Sequence, residues 1–218
     1  MSTVSHELKT PVTSIKAYGQ LLKRSLKKAG DTANGTFLEK MELQVLRLEK
    51  LIRDLLEITR IESGKLSLHP EPLPFKEFLE QIISDLQLIT NMHQLILTEN
   101  SVLTITADPT RLTQVITNLV TNAVKYSPEG KKVEIAAKEE NGFMICSVKD
   151  FGVGIAANEQ SLIFERFHQV AGKNPNAGLS LGLGLYIAKE IVEEGSGKLW
   201  LESEPNKGSI FYFSVPLT

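Results

Sequence analysis

One cysteine is all the chain contains. A single thiol cannot close an intramolecular bridge, so a disulfide-stapled secreted fold is excluded and a reducing compartment is expected. Cys146 itself sits in an alternating apolar run and reads as a small core residue. Long apolar stretches are missing too. No run approaches the roughly 18 residues that span a bilayer, and the N-terminus lacks the charged-then-apolar pattern of a signal peptide. The expectation is a soluble, cytoplasmic piece that reaches a membrane only through a preceding part of a longer parent chain. Charge of one sign is not in excess either: 24 basic against 26 acidic residues give a net −2. That balance offers no bulk attraction for nucleic acid or anionic lipid, so no nucleic-acid partner is expected and any polyanion must be recognised by a local site.

What is present is an ordinary globular composition, 42% hydrophobic and 23% charged, which excludes disorder, collagen-like repeats and an all-coiled-coil chain. A length of 218 residues favours two units, each able to bury a core. Val4, Leu8, Pro11, Ile15, Tyr18, Leu22 and Leu26 recur every three or four residues and predict an amphipathic helix. The turn cluster Gly30 to Gly35 follows, and then a near-heptad seam of Leu38, Met41, Val45, Leu48, Ile52 and Leu55. This is an antiparallel helical hairpin. A lone hairpin leaves an apolar stripe uncovered, and a second copy would cover it by completing a four-helix bundle, so a homodimer is expected.

The seam ends at Glu62-Ser63-Gly64-Lys65, and Pro70, Pro72 and Pro74 come next, which places a domain boundary at 64/65. Beyond it the spacing predicts helices over Phe75–Met92, from Pro109 to Tyr126, and over Leu183–Glu193. Strands are expected over Gln94–Glu99, Leu103–Ala107, Lys132–Lys138, Phe143–Val148, Leu199–Ser203 and Ser209–Val215. Hairpins without regular βαβ repeats imply an α/β sandwich with a mostly antiparallel or mixed sheet. The fold class is thus α plus α/β: residues 1–64 as the helical unit and residues 65–218 as the sandwich.

Five strings carry the chemistry. On the first helix, at 100° per residue, His6 falls about 180° from the apolar seam and should face solvent, within Ser5-His6-Glu7-Leu8-Lys9-Thr10-Pro11. On the helix after Pro109, Asn118, Asn122 and Lys125 lie at i, i+4 and i+7 on one face, with Tyr126 next, while Leu112, Ile116, Leu119 and Ala123 point elsewhere. Neutral Asn carbonyls suit a Mg²⁺ that takes most of its ligands from water and phosphate, and Lys125 can offset phosphate charge. A solvent-facing polar stripe is the plainer alternative. Asp150-Phe151-Gly152-Val153-Gly154 follows a predicted strand, where a buried carboxylate could accept from the amine of adenine and glycines let backbone approach a flat base. Gly182-Leu183-Gly184-Leu185 opens a helix, whose first amides form a natural phosphate site. Between these last two lie Phe164-Glu165-Arg166-Phe167 and then Ala171 to Ser180, rich in Gly, Asn, Pro and Ala, a composition suited to a lid that orders over nucleotide.

Together these strings resemble, in order, the H, N, G1, F and G2 boxes of the sensor histidine kinases. An Asp-Phe-Gly triplet also occurs in Ser/Thr and Tyr kinases, but no Gly-rich loop with a following strand lysine and no His-Arg-Asp is present. The resemblance implies a Bergerat-type ATP-binding domain and His6 as phosphoacceptor, with Glu7 handling the second ring proton. It also implies Arg166 near the terminal phosphate and Thr10 orienting a water for dephosphorylation of a partner. ATP and Mg²⁺ are the implied cofactors, with Asn118 as metal ligand. The implied partners are a second copy and the receiver domain of a response regulator. One departure stands out: the family usually has a glycine two positions before Gly182, where this chain has Ser180. The rivals are a gyrase- or chaperone-type ATPase without phosphohistidine and a degenerate dimerising scaffold.

Overall fold

The computed structural model describes residues 13, 15–24, 26, 32–90, 92–127, 131–169 and 181–217. Contacts divide the chain into two compact units, Met1–Gly64 and Lys65–Thr218.

In the first unit, residues 15–24 form α1 and Thr32–Glu62 form α2. Lys16 reaches Glu49 at 3.2 Å and Lys23 reaches Glu42 at 2.8 Å, so the contact on α2 moves back as α1 advances, and the hairpin is antiparallel. Such exposed pairs fix register more than they stabilise. Gly19 is buried, and a Cβ there would stand 3.1 Å from the Met41 methyl, which marks close approach of the two helices. The predicted seam of α2 splits in two. Leu38, Val45 and Ile52, one heptad apart, are 5–9% exposed, whereas Met41, Leu48 and Leu55 are 38–46% exposed. On α1, Ile15, Tyr18 and Leu22 are also exposed. One row packs inside the hairpin; the other faces outward, except that Met41 turns its methyl back onto Gly19. Helix α2 starts at Thr32, inside the predicted turn cluster, because one Gly in a helix costs only about 1 kcal/mol and a 31-residue helix outweighs it. It stops at Gly64, which takes φ 62° and donates its amide to Ile61 O at 2.9 Å.

The second unit is a two-layer sandwich. Its main sheet has β2 (Gln94–Asn100), β4 (Lys132–Glu140), β5 (Phe143–Lys149), β7 (Gly208–Pro216) and β6 (Leu199–Glu204) in that order, parallel only between β2 and β4. Alternate residues such as Val133, Ile135, Met144, Cys146, Val148, Phe211 and Phe213 form one buried face. Helix α3 (Phe75–Ile89) packs on β2, α4 (Pro109–Tyr126) on β4 and β5, and α5 (Gly184–Glu194) on β6 and β7. Cys146 is fully buried, and burial pushes its thiol up to about 12, so it is inert.

The proline stretch holds a strand that the spacing did not suggest. β1 (Glu71–Pro74) pairs antiparallel with β3 (Thr104–Ala107) in a separate two-stranded sheet. Only alternate residues of a strand point their N–H at a given neighbour, so Pro72 and Pro74 can share the edge that needs no donor.

Helix α4 begins where Asp108 caps it. Asp108 Oδ1 accepts from the Arg111 amide at 3.1 Å, Oδ2 accepts from the His69 amide at 2.9 Å, and Pro109 fills the first turn. Its far end is tied to β2, since His93 Nε2 lies 2.6 Å from Ser127 O. A carbonyl only accepts, so Nε2 carries the proton. Burial alone would raise the Asp108 carboxyl, but the amides of His69, Arg111 and Thr110 and the Arg111 charge hold it below its ordinary value of 3.8. Its contribution to stability is therefore complete above the unfolded value and fades as pH falls through the lower folded one. Asp108→Ala should cost about 1–2 kcal/mol at neutral pH. Urea titrations should show the gap to wild type closing in acid, and equal midpoints at neutral pH would refute the cap.

Candidate functional site

Helix α4 carries Asn118, Asn122, Lys125 and Tyr126, all partly buried, whereas its Leu112, Ile116, Leu119 and Ala123 are buried. At its middle, Asn118 donates Nδ2–H to the carbonyl of Gly184, the first residue of α5, at 3.1 Å. A carbonyl can be met only by the amide nitrogen, so the orientation of the side chain is fixed and Oδ1 is the oxygen left for a ligand. Lys125 folds over its neighbour, with Nζ 3.1 Å from Tyr126 Oη and 4.7 Å from the ring centre.

Two turns further on, the end of α4 meets the loop after β5. The Val153 amide donates to Tyr126 O at 3.3 Å, and a side chain on Gly152 would collide with that same carbonyl. Gly154, with φ 62°, abuts the carbonyl of Glu204 in the same way. Asp150 is only 4% exposed, and its Oδ1 accepts from the amides of Gly152 at 2.8 Å and Ser209 at 3.2 Å. Burial pushes this carboxyl above its ordinary range, while those amides and the Ser209 hydroxyl pull it back. The exposed ring of Phe151 is flanked by Lys132 and Lys149 at 4.8 and 4.9 Å.

At the other end of the site, Gly182 takes φ 68° and lies against the backbone of His168, so the two flanks of residues 169–181 meet. Leu183 precedes α5 with its side chain buried and makes no side-chain cap, so Leu183, Gly184 and Leu185 can serve a ligand through backbone amides. Arg166 follows the short 3₁₀ turn Leu162–Phe164, and its guanidinium carbon lies 5.8 Å from the centre of the Tyr186 ring.

His6, Glu7 and Thr10 lie outside the described residues, as do residues 170–180 of the expected lid. The spacing had also missed several site components. Gly208 and Ser209 were read only as a hairpin end, yet Gly208 has φ 89°, lies against the Asp150 carbonyl, and delivers the Ser209 amide to the Asp150 carboxylate. The Ser203 hydroxyl accepts from the Ile155 amide at 2.8 Å and donates to Gly208 O at 3.0 Å, which joins the loop to β6 and β7. A Gly-Ser pair at a strand start was the available signal for the first of these. Nothing local announces Ser203.

Comparison with known proteins matches both units to families. Residues 107–218 match the model of the histidine kinase-, DNA gyrase B- and HSP90-like ATPases, and residues 1–64 match the His kinase A (phospho-acceptor) domain. The chain is 34% identical to the sensor protein kinase WalK of Staphylococcus saprophyticus and 32% identical to the sensor histidine kinase WalK of Bacillus subtilis, in each case over 99% of the chain. It spans 36% of the length of those relatives. Among solved structures, full-length ShkA in complex with AMPPNP superposes with a TM-score of 0.81 at 26% identity, covering 99% of this chain and 45% of ShkA. The histidine kinase AdeS of Acinetobacter baumannii shares the fold, with a TM-score of 0.69 at 24% identity over 98% of each chain.

Gly152→Ala tests the close approach directly. The added methyl must displace the end of α4 or the loop, an overpacking cost of about 1–3 kcal/mol. Urea unfolding should show that loss, and a wild-type midpoint would mean the two segments do not touch.

Proposed function

Because the chain belongs to the sensor histidine kinases of two-component systems, we propose that its second unit binds ATP and moves the γ-phosphoryl group onto His6 of its first. From His6 the group passes to an aspartate on the receiver domain of a response regulator. Thr10 orients a water for the reverse, phosphatase step.

The observation that carries this reading is the buried Asp150 carboxylate within its glycine cradle, joined by α4 to an uncapped helix start at Gly184. Asp150 suits the amine of adenine, and Gly152 and Gly154 let the loop pack on the Tyr126 and Glu204 carbonyls, which holds that carboxylate in place. The first amides of α5, with Lys125 and Asn122, suit phosphates. Among the described residues no group of three or more His, Cys, Asp or Glu could hold a metal. A neutral amide oxygen such as Asn118 Oδ1 fits a Mg²⁺ carried on phosphate and water oxygens. Held there, the ion would supply positive charge to offset that of the phosphates.

The ring nitrogen of His6 gives its lone pair to the γ-phosphorus as the bond to the bridging oxygen breaks, and ADP leaves with that electron pair. Glu7 holds the proton of the other ring nitrogen. Arg166 offsets charge on the transferring oxygens. Two of the other histidines, His93 and His168, support the choice of His6. His93 is buried with Nε2 engaged, and His168 Nε2 lies 2.7 Å from Glu159 Oε2. His69 is exposed and serves Asp108 through its backbone amide.

The outward row Met41, Leu48 and Leu55, with Ile15, Tyr18 and Leu22, supports a homodimer through a four-helix bundle. Leu48→Glu should convert a sedimenting dimer to monomer without weakening ATP binding. A wild-type chain that is monomeric at micromolar concentration would end the dimer reading.

A contrasting pair tests the chemistry. His6→Gln should bind ATP normally and take up no phosphate from γ-labelled ATP. In Asp150→Asn, the amide oxygen can keep the two backbone donors, which turns its NH₂ toward the amine of adenine. ATP affinity should then fall about 10–100-fold, the loss of a charge-assisted hydrogen bond. A raised folded pKa means the carboxylate lowers stability as pH rises past its ordinary value, so this variant should be no less stable than wild type at neutral pH. Acid-labile label on His6→Gln at the wild-type level would overturn the assignment. Hydrolysis without label would favour a gyrase-like ATPase.

A further inference from the structure

Tyr186 is the third residue of α5, in the same first turn as Gly184, whose carbonyl Asn118 holds. Its ring lies 5.8 Å from the guanidinium carbon of Arg166, within the range at which an aromatic face attracts a cation. Arg166 stands on irregular chain between the 3₁₀ turn and Phe167, which has φ 61°. No helix or strand fixes its direction, and an arginine on such a segment has many rotamers to lose. The ring beneath it sits on a helix whose start is anchored from α4.

Charges around the ring favour the same placement. Burial raises the Tyr186 hydroxyl most. Glu190, one turn along the helix, and Glu165, next to Arg166, also raise it, whereas Arg166 lowers it. The guanidinium is therefore close enough to act on the phenol. The N-cap residue of α5, Leu183, makes no side-chain cap, which leaves the first amides of the helix for an anion.

We propose that Tyr186 is a positioning residue whose ring holds the Arg166 guanidinium at the first turn of α5, so that the cation and the helix amides address the same phosphate oxygens. The inference rests on the phosphoryl-transfer reading above. Arg166 neither gains nor loses a proton in that step. The nitrogen–phosphorus bond forms, the bond to the bridging oxygen breaks, and ADP takes the electron pair, while a pre-placed guanidinium offsets charge without first having to be ordered.

The test uses the full chain and separates binding from rate. Tyr186→Leu should bind ATP with wild-type affinity yet transfer phosphate about 3- to 30-fold more slowly, the range a lost cation–π contact allows. Tyr186→Phe keeps the ring and should restore the rate. In an Arg166→Ala background, Tyr186→Leu should add nothing further. A wild-type rate for Tyr186→Leu, an equal defect in Tyr186→Phe, or a defect that persists in full without Arg166 would each overturn the proposal. A second readout needs no activity: the Tyr186 phenol, followed by site-resolved NMR titration, should move up in Arg166→Ala. An unmoved phenol overturns the positioning alone, whereas a wild-type chain that binds ATP and takes up no label overturns the kinase reading on which it rests.

Discussion

The Asp150 carboxylate accepts the amides of Gly152 and Ser209 on one oxygen, and in doing so ties the end of β5, the following loop and the start of β7 at a single point. Taking a carboxylate out of water is costly unless donors meet it, so the position of both amides matters. Gly208 can deliver the Ser209 amide only because it adopts φ 89° against the Asp150 carbonyl, where a side chain would not fit. Gly152 can deliver the other because it rests on the Tyr126 carbonyl at the end of α4. The loop, the closing hairpin and α4 thus share one constraint. Through Asn118 and Gly184, α4 passes it on to the start of α5.

The first unit solves a different problem. A two-helix hairpin has too little interior to bury a full heptad seam, and it divides the labour: Leu38, Val45 and Ile52 pack within the chain, and Met41, Leu48 and Leu55 stay outside. No helix among the described residues is long and apolar enough to cross a membrane. Under the proposed dimer reading, a second copy would set an apolar row of the same kind against this one by twofold symmetry.

Much of this was legible in the sequence because it rests on periodicity and on residue types with few alternative uses. The 3.6-residue spacing found α3, α4 and α5, and alternation found β4 through β7. Asp108-Pro109 marked a helix start, and paired glycines marked close backbone approach. What was not legible depends on residues distant in sequence. Pro72 and Pro74 read as loop until β3 came beside them. Asn34 and Gly35 read as a turn but continue α2. Ser209 acts at Asp150 through its backbone amide, and Tyr186 acts on Arg166 through the placement of a helix, neither of which leaves a local trace.

The central claim is that His6 accepts the phosphoryl group. The most direct measurement is the site of the modification itself: the chain is incubated with ATP and Mg²⁺, digested at mildly alkaline pH to preserve a nitrogen–phosphorus bond, and sequenced by mass spectrometry. The account predicts phosphate on the peptide that carries His6 and on no other. Phosphate on a peptide carrying His69, His93 or His168, or none anywhere while ADP accumulates, would contradict it.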